Sequence, residues 1–149
     1  MNTIKQYGQY TYFIKQYKEN YQLNESYLYS AVLELADCYK RLENSEKELE
    51  TLMIILQNQI PKQECLCRIG DVFLRKKQFL VAIYWFALAV NSLEKEVNVD
   101  YEKFIPYISM GVCYYWLGDK KKAFEYNERA GIIKPNDETY LRNKEIYIT

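Results

Sequence analysis

One residue pattern recurs three times along this chain at a near-constant interval. Segments 32–55, 66–89 and 107–130 align without internal gaps. In the third they bring Tyr107, Met110-Gly111, Tyr114, Ala123 and Ala130 onto Leu66, Ile69-Gly70, Phe73, Ala82 and Ala89 of the second. The first supplies Val32, Leu35-Ala36, Tyr39, Glu48 and Ile55. Ala36 and Gly70 are 34 residues apart, and Gly70 and Gly111 are 41 apart, one period plus an insertion at 97–103. A fixed period of this length means that each unit buries its apolar face only by stacking on the next.

Small residues at Ala36, Gly70 and Gly111 let the second helix of a hairpin come close to the first, and Ala82 and Ala123 do the same from the other side. Tyr39, Phe73 and Tyr114 fill the space one turn along. Gly118-Asp119 suits the left-handed exit and tight turn between helices, a task Asn44 performs less well in the first unit. Glu48 and Ile55 stand where the other units place alanine, so packing at the second helix of the first unit is expected to be looser or shifted. Pro135 ends a helix, and Asn136 or Asp137 can cap the next. These features resemble the tetratricopeptide repeat. The resemblance implies an all-α, helical-hairpin solenoid of about three repeats, at 29–62, 63–96 and 104–137, with a partial repeat or cap at 1–28 and a capping helix at 138–149. Helices are predicted over 3–20, 26–42, 45–58, 62–76, 79–94, 103–117, 120–133 and 137–147. No stretch alternates long enough to argue a strand.

Composition narrows the function. The 20 basic residues equal the 20 acidic ones, so no net field draws the chain to nucleic acid or to an anionic membrane. The longest uncharged apolar run, 79–90, is too short for a span of about 20 residues. The N-terminal stretch is polar and tyrosine-rich without the apolar core of a secretory signal, which predicts a cytoplasmic protein. Tyr7, Tyr10, Tyr12, Tyr17, Tyr21, Tyr27 and Tyr29 lack the interleaved basic patches of a nucleic-acid binder and suit helix packing or a homodimer contact. With no histidine, and Cys65 and Cys67 about 200° apart on a helix, a metal site is not expected, and the four cysteines read as buried small hydrophobes. No cofactor motif, G-x-S-x-G or phosphate loop is present, so the chain is read as non-catalytic.

The wording of the C-terminal half is narrower than the general repeat. Phe104-Ile105-Pro106, Cys113-Tyr114-Tyr115-Trp116-Leu117-Gly118-Asp119, Lys122-Ala123 and 125–131 through Lys134-Pro135-Asn136 resemble the C-terminal repeat region of bacterial family 2 glycosyltransferases. Leu35-Ala36-Asp37-Cys38-Tyr39, 68–73 and Ala82-Ile83-Tyr84-Trp85 share that likeness. The resemblance implies an upstream nucleotide-sugar domain with a metal-binding D-x-D. None of the aspartates here (Asp37, Asp71, Asp100, Asp119, Asp137) lie two apart. It therefore implies an accessory module for dimerisation or acceptor docking, either a piece of such an enzyme or a free-standing relative.

In tetratricopeptide proteins the first helix of each pair lines a concave groove. The matching slots are Ser30, Leu33, Asp37, Lys40 and Arg41; then Glu64, Cys67, Asp71, Leu74 and Arg75; then Ile105, Ile108, Val112, Tyr115 and Trp116. They grade from charged to aromatic and suit a peptide or helix of a protein partner. The lysine and asparagine clamp that grips C-terminal carboxylates in some such repeats is absent. Two plainer roles stand beside this reading. Asp37 and Asp71 can pair with Arg41 and Arg75 one turn on, and Tyr115 and Trp116 can pack under the terminal helix or the insertion. Lys120 to Lys122 read as a solvated turn.

Overall fold

The structure, a computed structural model, describes residues 3–20, 25–93 and 98–149. Every regular element among them is helical: α1 Thr3–Asn20, α2 Glu25–Arg41, α3 Ser45–Asn58, α4 Gln63–Arg75, α5 Phe79–Asn91, a 3-10 turn at Val99–Tyr101, α6 Phe104–Trp116, α7 Lys120–Ile133 and α8 Glu138–Ile148. The predicted helix ends lie within three residues of these. Tyr21, the first residue of the 97–103 insertion and the end of the helix predicted over 79–94 lie outside the described residues. The chain divides into two compact units at 61/62, and each is described by itself.

In unit 1, α2 packs against α1 on one side and α3 on the other. Tyr39 on α2 meets Tyr7 on α1 edge-on at 5.3 Å, with its hydroxyl donating to that of Tyr7 at 3.0 Å. The slots expected to loosen this unit are themselves closed: Glu48 is 3% exposed and Ile55 fully buried. The slack lies alongside, in a groove of about 570 Å³ whose walls include Ile14, Leu35, Tyr39, Met53 and Ile54.

Unit 2 is built from two hairpins, α4 with α5 and α6 with α7, and α8 docks on α7 and α6. Its core gathers Leu66, Cys67, Ala82, Phe86, Ala89, Met110 and Cys113. Gly70 exists for Phe86: a Cβ at Gly70 would stand 2.8 Å from the Phe86 ring. At Gly111 an added Cβ would meet backbone instead, 3.2 Å from the Ala123 carbonyl oxygen, so α6 and α7 approach closely there. At the slot held by Leu52 and Phe86, the last hairpin places Asn127, fully buried, whose Nδ2 donates to the Tyr140 carbonyl of α8 at 3.0 Å. A core position has turned polar there because it meets a helix backbone.

The three hairpin turns are the same turn. The amides of Asn44, Gln78 and Asp119 donate to the carbonyls of Tyr39, Phe73 and Tyr114, and those of Glu43, Lys77 and Gly118 donate to Lys40, Leu74 and Tyr115. This double closure is the Schellman end of a helix, with its left-handed residue at φ 55, 59 and 83° respectively. The assignment of Asn44 to the left-handed role is corrected by this: Glu43 takes it, and Asn44 is the N-cap of α3, accepting from the Lys47 amide at 3.1 Å. Asn44 is the counterpart of Asp119, which caps α7 in the same way. Asp137 caps α8 through the amides of Thr139 and Tyr140. Because a left-handed β-carbon costs on the order of 1 kcal/mol, Glu43→Gly is expected to raise stability by about 0.5 kcal/mol once glycine's greater unfolded freedom is subtracted. Chemical denaturation would read this, and a fall in the midpoint would contradict it.

Candidate functional site

The nine groove residues with the strongest sequence argument fall in different units. Asp37, Lys40 and Arg41 belong to unit 1, and Asp71, Arg75, Ile108, Val112, Tyr115 and Trp116 to unit 2. In unit 1 the open side of α2 is a narrow stripe through Tyr27, Ser30 and Glu34 to Arg41. Leu33 lies off this stripe and is buried, so its assignment to the groove is corrected. Asp37 pairs with Arg41 at 2.7 Å, one turn along, and Lys40 is exposed.

In unit 2 Cys67 is also removed from the groove. It is 2% exposed, because the Val99–Tyr101 turn packs on α4 and α6 and the Cys67 thiol reaches the Tyr101 carbonyl at 3.7 Å. The turn is tied down from the far side by Lys134, whose Nζ meets Asp100 Oδ2 at 2.6 Å. Tyr115 has the packing role: it stacks on Tyr147 of α8 at 5.2 Å. Ile105 and Ile108 are half-buried. Asp71 accepts from Arg75 Nε at 3.0 Å, which holds the guanidinium along α4.

What remains open is concentrated at one place. Leu74 and Arg75 at the end of α4, Lys77 in the turn, Phe79 at the start of α5, and Val112 and Trp116 on α6 enclose a pocket of about 370 Å³. Leu74, Arg75, Val112 and Trp116 were legible as groove slots, and Lys77 and Phe79 were not. Trp116 is 64% exposed despite its size. Its indole lies parallel to the Phe79 ring, 9° between planes and 6.5 Å between centroids, and meets Tyr115 edge-on at 5.7 Å. Since Tyr115 is itself clamped by Tyr147, the indole is held from two sides and presents an ordered apolar surface to solvent.

Cys38, Cys65, Cys67 and Cys113 are all buried as thiols, and no group of acidic or cysteine side chains among the described residues could hold a metal. No helix among them is long and apolar enough to cross a membrane. Burial pushes the Cys113 thiol from 9.0 up to about 12 and the Tyr147 phenol from 10.0 up to about 12. Burial, reinforced by the bond to Tyr7, does the same for Tyr39. Each group stays neutral in the fold while its unfolded counterpart ionises, so the stability it contributes is intact below pH 9 and is lost progressively toward pH 12. The urea midpoint is expected to fall between about pH 8 and about pH 10.5, and less steeply in Cys113→Val. A flat profile would contradict the enclosure of these groups.

The helical-hairpin architecture defines the class of fold as tetratricopeptide-like and all-α. Among solved structures it is similar to the crystal structure of MamA, with a TM-score of 0.67 and 20% identity, covering 94% of this chain and 77% of that one. It is also similar to MamA MSR-1 C2, with a TM-score of 0.61 and 14% identity, covering 94% and 76%. At these identities the likeness is one of fold. No family model matches the chain, and no curated protein matches it in sequence. The glycosyltransferase link suggested by the C-terminal half finds no support among these structures.

Proposed function

We propose that this chain is a non-catalytic interaction module that receives a segment of a partner protein at the pocket of unit 2. The observation that carries this reading is Trp116, a large aromatic flanked by Phe79 and Tyr115 yet mostly exposed beside an apolar recess. Ordered aromatics next to a recess are the residues on which interface energy concentrates. The floor, Leu74 and Val112, accepts an apolar side chain, while Arg75 on the wall is oriented by Asp71. A tetratricopeptide-like fold is consistent with such a scaffold, since its hairpins present side chains on stiff elements.

The test is a selection of displayed peptides against the full chain, followed by titration of the selected peptides with the wild type and Trp116→Ala. Trp116 lies outside the core, so the variant should keep its helical content and thermal midpoint. Its affinity for the peptides is expected to fall by about 2 kcal/mol, roughly 30-fold. If the variant binds them like the wild type, the pocket is not where the partner sits.

A further inference from the structure

The surroundings of the pocket specify more than an apolar guest. The turn between α4 and α5 reads Arg75-Lys76-Lys77, and the turn between α6 and α7 leads into Lys120-Lys121-Lys122. In sequence these clusters are more than forty residues apart, and each looks like a solvated turn. The structure joins them: Phe79, two residues after Lys77, stacks on Trp116, four residues before Lys120. Both clusters therefore belong to the same edge of unit 2, on either side of the pocket.

The carboxylates in the two turns do not balance this charge. Asp71 is engaged along α4 by Arg75 at 3.0 Å. Asp119 caps α7 by accepting from the Lys122 amide, and its other oxygen lies 3.6 Å from Lys122 Nζ. The next carboxylate, Glu125, follows one turn after Lys121 on α7. Lys76, Lys77, Lys120 and Lys121 are exposed. A chain with no net charge has thus placed six cations against three carboxylates, Asp71, Asp119 and Glu125, in and beside the two turns that border Trp116, with Arg75 and Lys77 in the pocket wall itself.

On these grounds we infer that the partner segment is acidic, carrying one bulky apolar anchor that enters between Leu74, Val112 and Trp116, with carboxylates on either side that meet the two lysine clusters. The apolar recess holds the anchor, and the basic rim sets its orientation and speeds its arrival. A basic or neutral segment with the same anchor gains nothing from the rim. The inference rests on the pocket being the partner site, and it adds the chemistry of the guest.

Measurements on the selected peptides, all with the full chain, separate the two claims. The peptides should share an aromatic or branched apolar residue flanked by Asp or Glu. Replacing those carboxylates by their amides, or making the double reversal Lys77→Glu with Lys120→Glu, should each weaken binding roughly tenfold or more. Added sodium chloride should weaken it in the same direction. Trp116 emission, read against Trp116→Phe, should shift on binding. Peptides that depend on Trp116 but show no acidic excess, no salt dependence and no response to the double reversal would overturn the acidic partner and leave the interaction site standing. Peptides indifferent to Trp116, or no selected peptide at all, would overturn both.

Discussion

Phe86→Ala is expected to lower the unfolding free energy of unit 2 by about 3–5 kcal/mol, the range for removing a fully enclosed phenyl ring. Phe86 is 1% exposed and the largest of the fully buried side chains. It stands in the middle of α5, on the same face as Ala82 and Ala89, and its ring lies against Gly70 of α4. Collapse cannot refill the space, because the partner across the interface is a glycine with no side chain to move. Domains of this size are stable by only about 5–15 kcal/mol, so the variant should lose a large part of its margin. Urea denaturation followed by circular dichroism would measure the change. A loss under about 1 kcal/mol would mean that α4 and α5 are not packed around this ring.

Gly131→Leu is expected to release α8. A Cβ at Gly131 would overlap the Tyr140 ring itself, with the nearest ring atoms well inside van der Waals distance. The ring has little room to yield, since its hydroxyl donates to Glu128 Oε1 at 3.1 Å and accepts from Lys144 Nζ at 3.0 Å, while the main chain behind it is held by Asn127. Better intrinsic helix propensity at position 131 returns about 1 kcal/mol at most, against an overpacking cost of about 3 kcal/mol. Amides across 138–148 should exchange faster with deuterium while those of α4 and α5 keep their protection. Adding Tyr140→Ala should recover part of the loss by making room for the leucine, a coupling that a double-mutant cycle would expose. Unchanged exchange in α8 would show that the contact does not hold the helix.

These two sites differ in how far the residues alone foretold them. Gly70 and the alanine slots follow from the repeat, because close helix approach imposes the same small residue at the same interval. Asn127 and Tyr140 do not follow from it, since the last hairpin meets a helix that belongs to no repeat and its core slot changes character to suit. The pocket divides in the same way. Val112 and Trp116 were readable from helical spacing, as were Leu74 and Arg75. Lys77 and Phe79 sit in and after a turn, where helical periodicity says nothing about direction. Cys67 and Tyr115 each had two readings, and the plainer one, burial for the thiol and packing under the terminal helix for the tyrosine, is what the structure shows: each occupies an open slot of the repeat but is covered by something outside it, the Val99–Tyr101 turn in one case and Tyr147 of α8 in the other. Glu43 against Asn44 was a one-residue error in a Schellman turn, where asparagine's tolerance of left-handed geometry competed with its skill as an N-cap and the cap prevailed.

The enclosed thiols make the chain a recorder of its own openings. Cys38 lies in unit 1 and Cys65, Cys67 and Cys113 in unit 2, each shut away from solvent, and burial holds the thiols of Cys38 and Cys113 in their unreactive protonated form. An alkylating reagent can therefore reach a given sulfur only during the moments when the surrounding helices part. Modification rates at Cys38 would clock fluctuations of the first unit, and those at Cys113 the second. A change in either on peptide binding would report whether a guest at the turn edge quiets the helices beneath it.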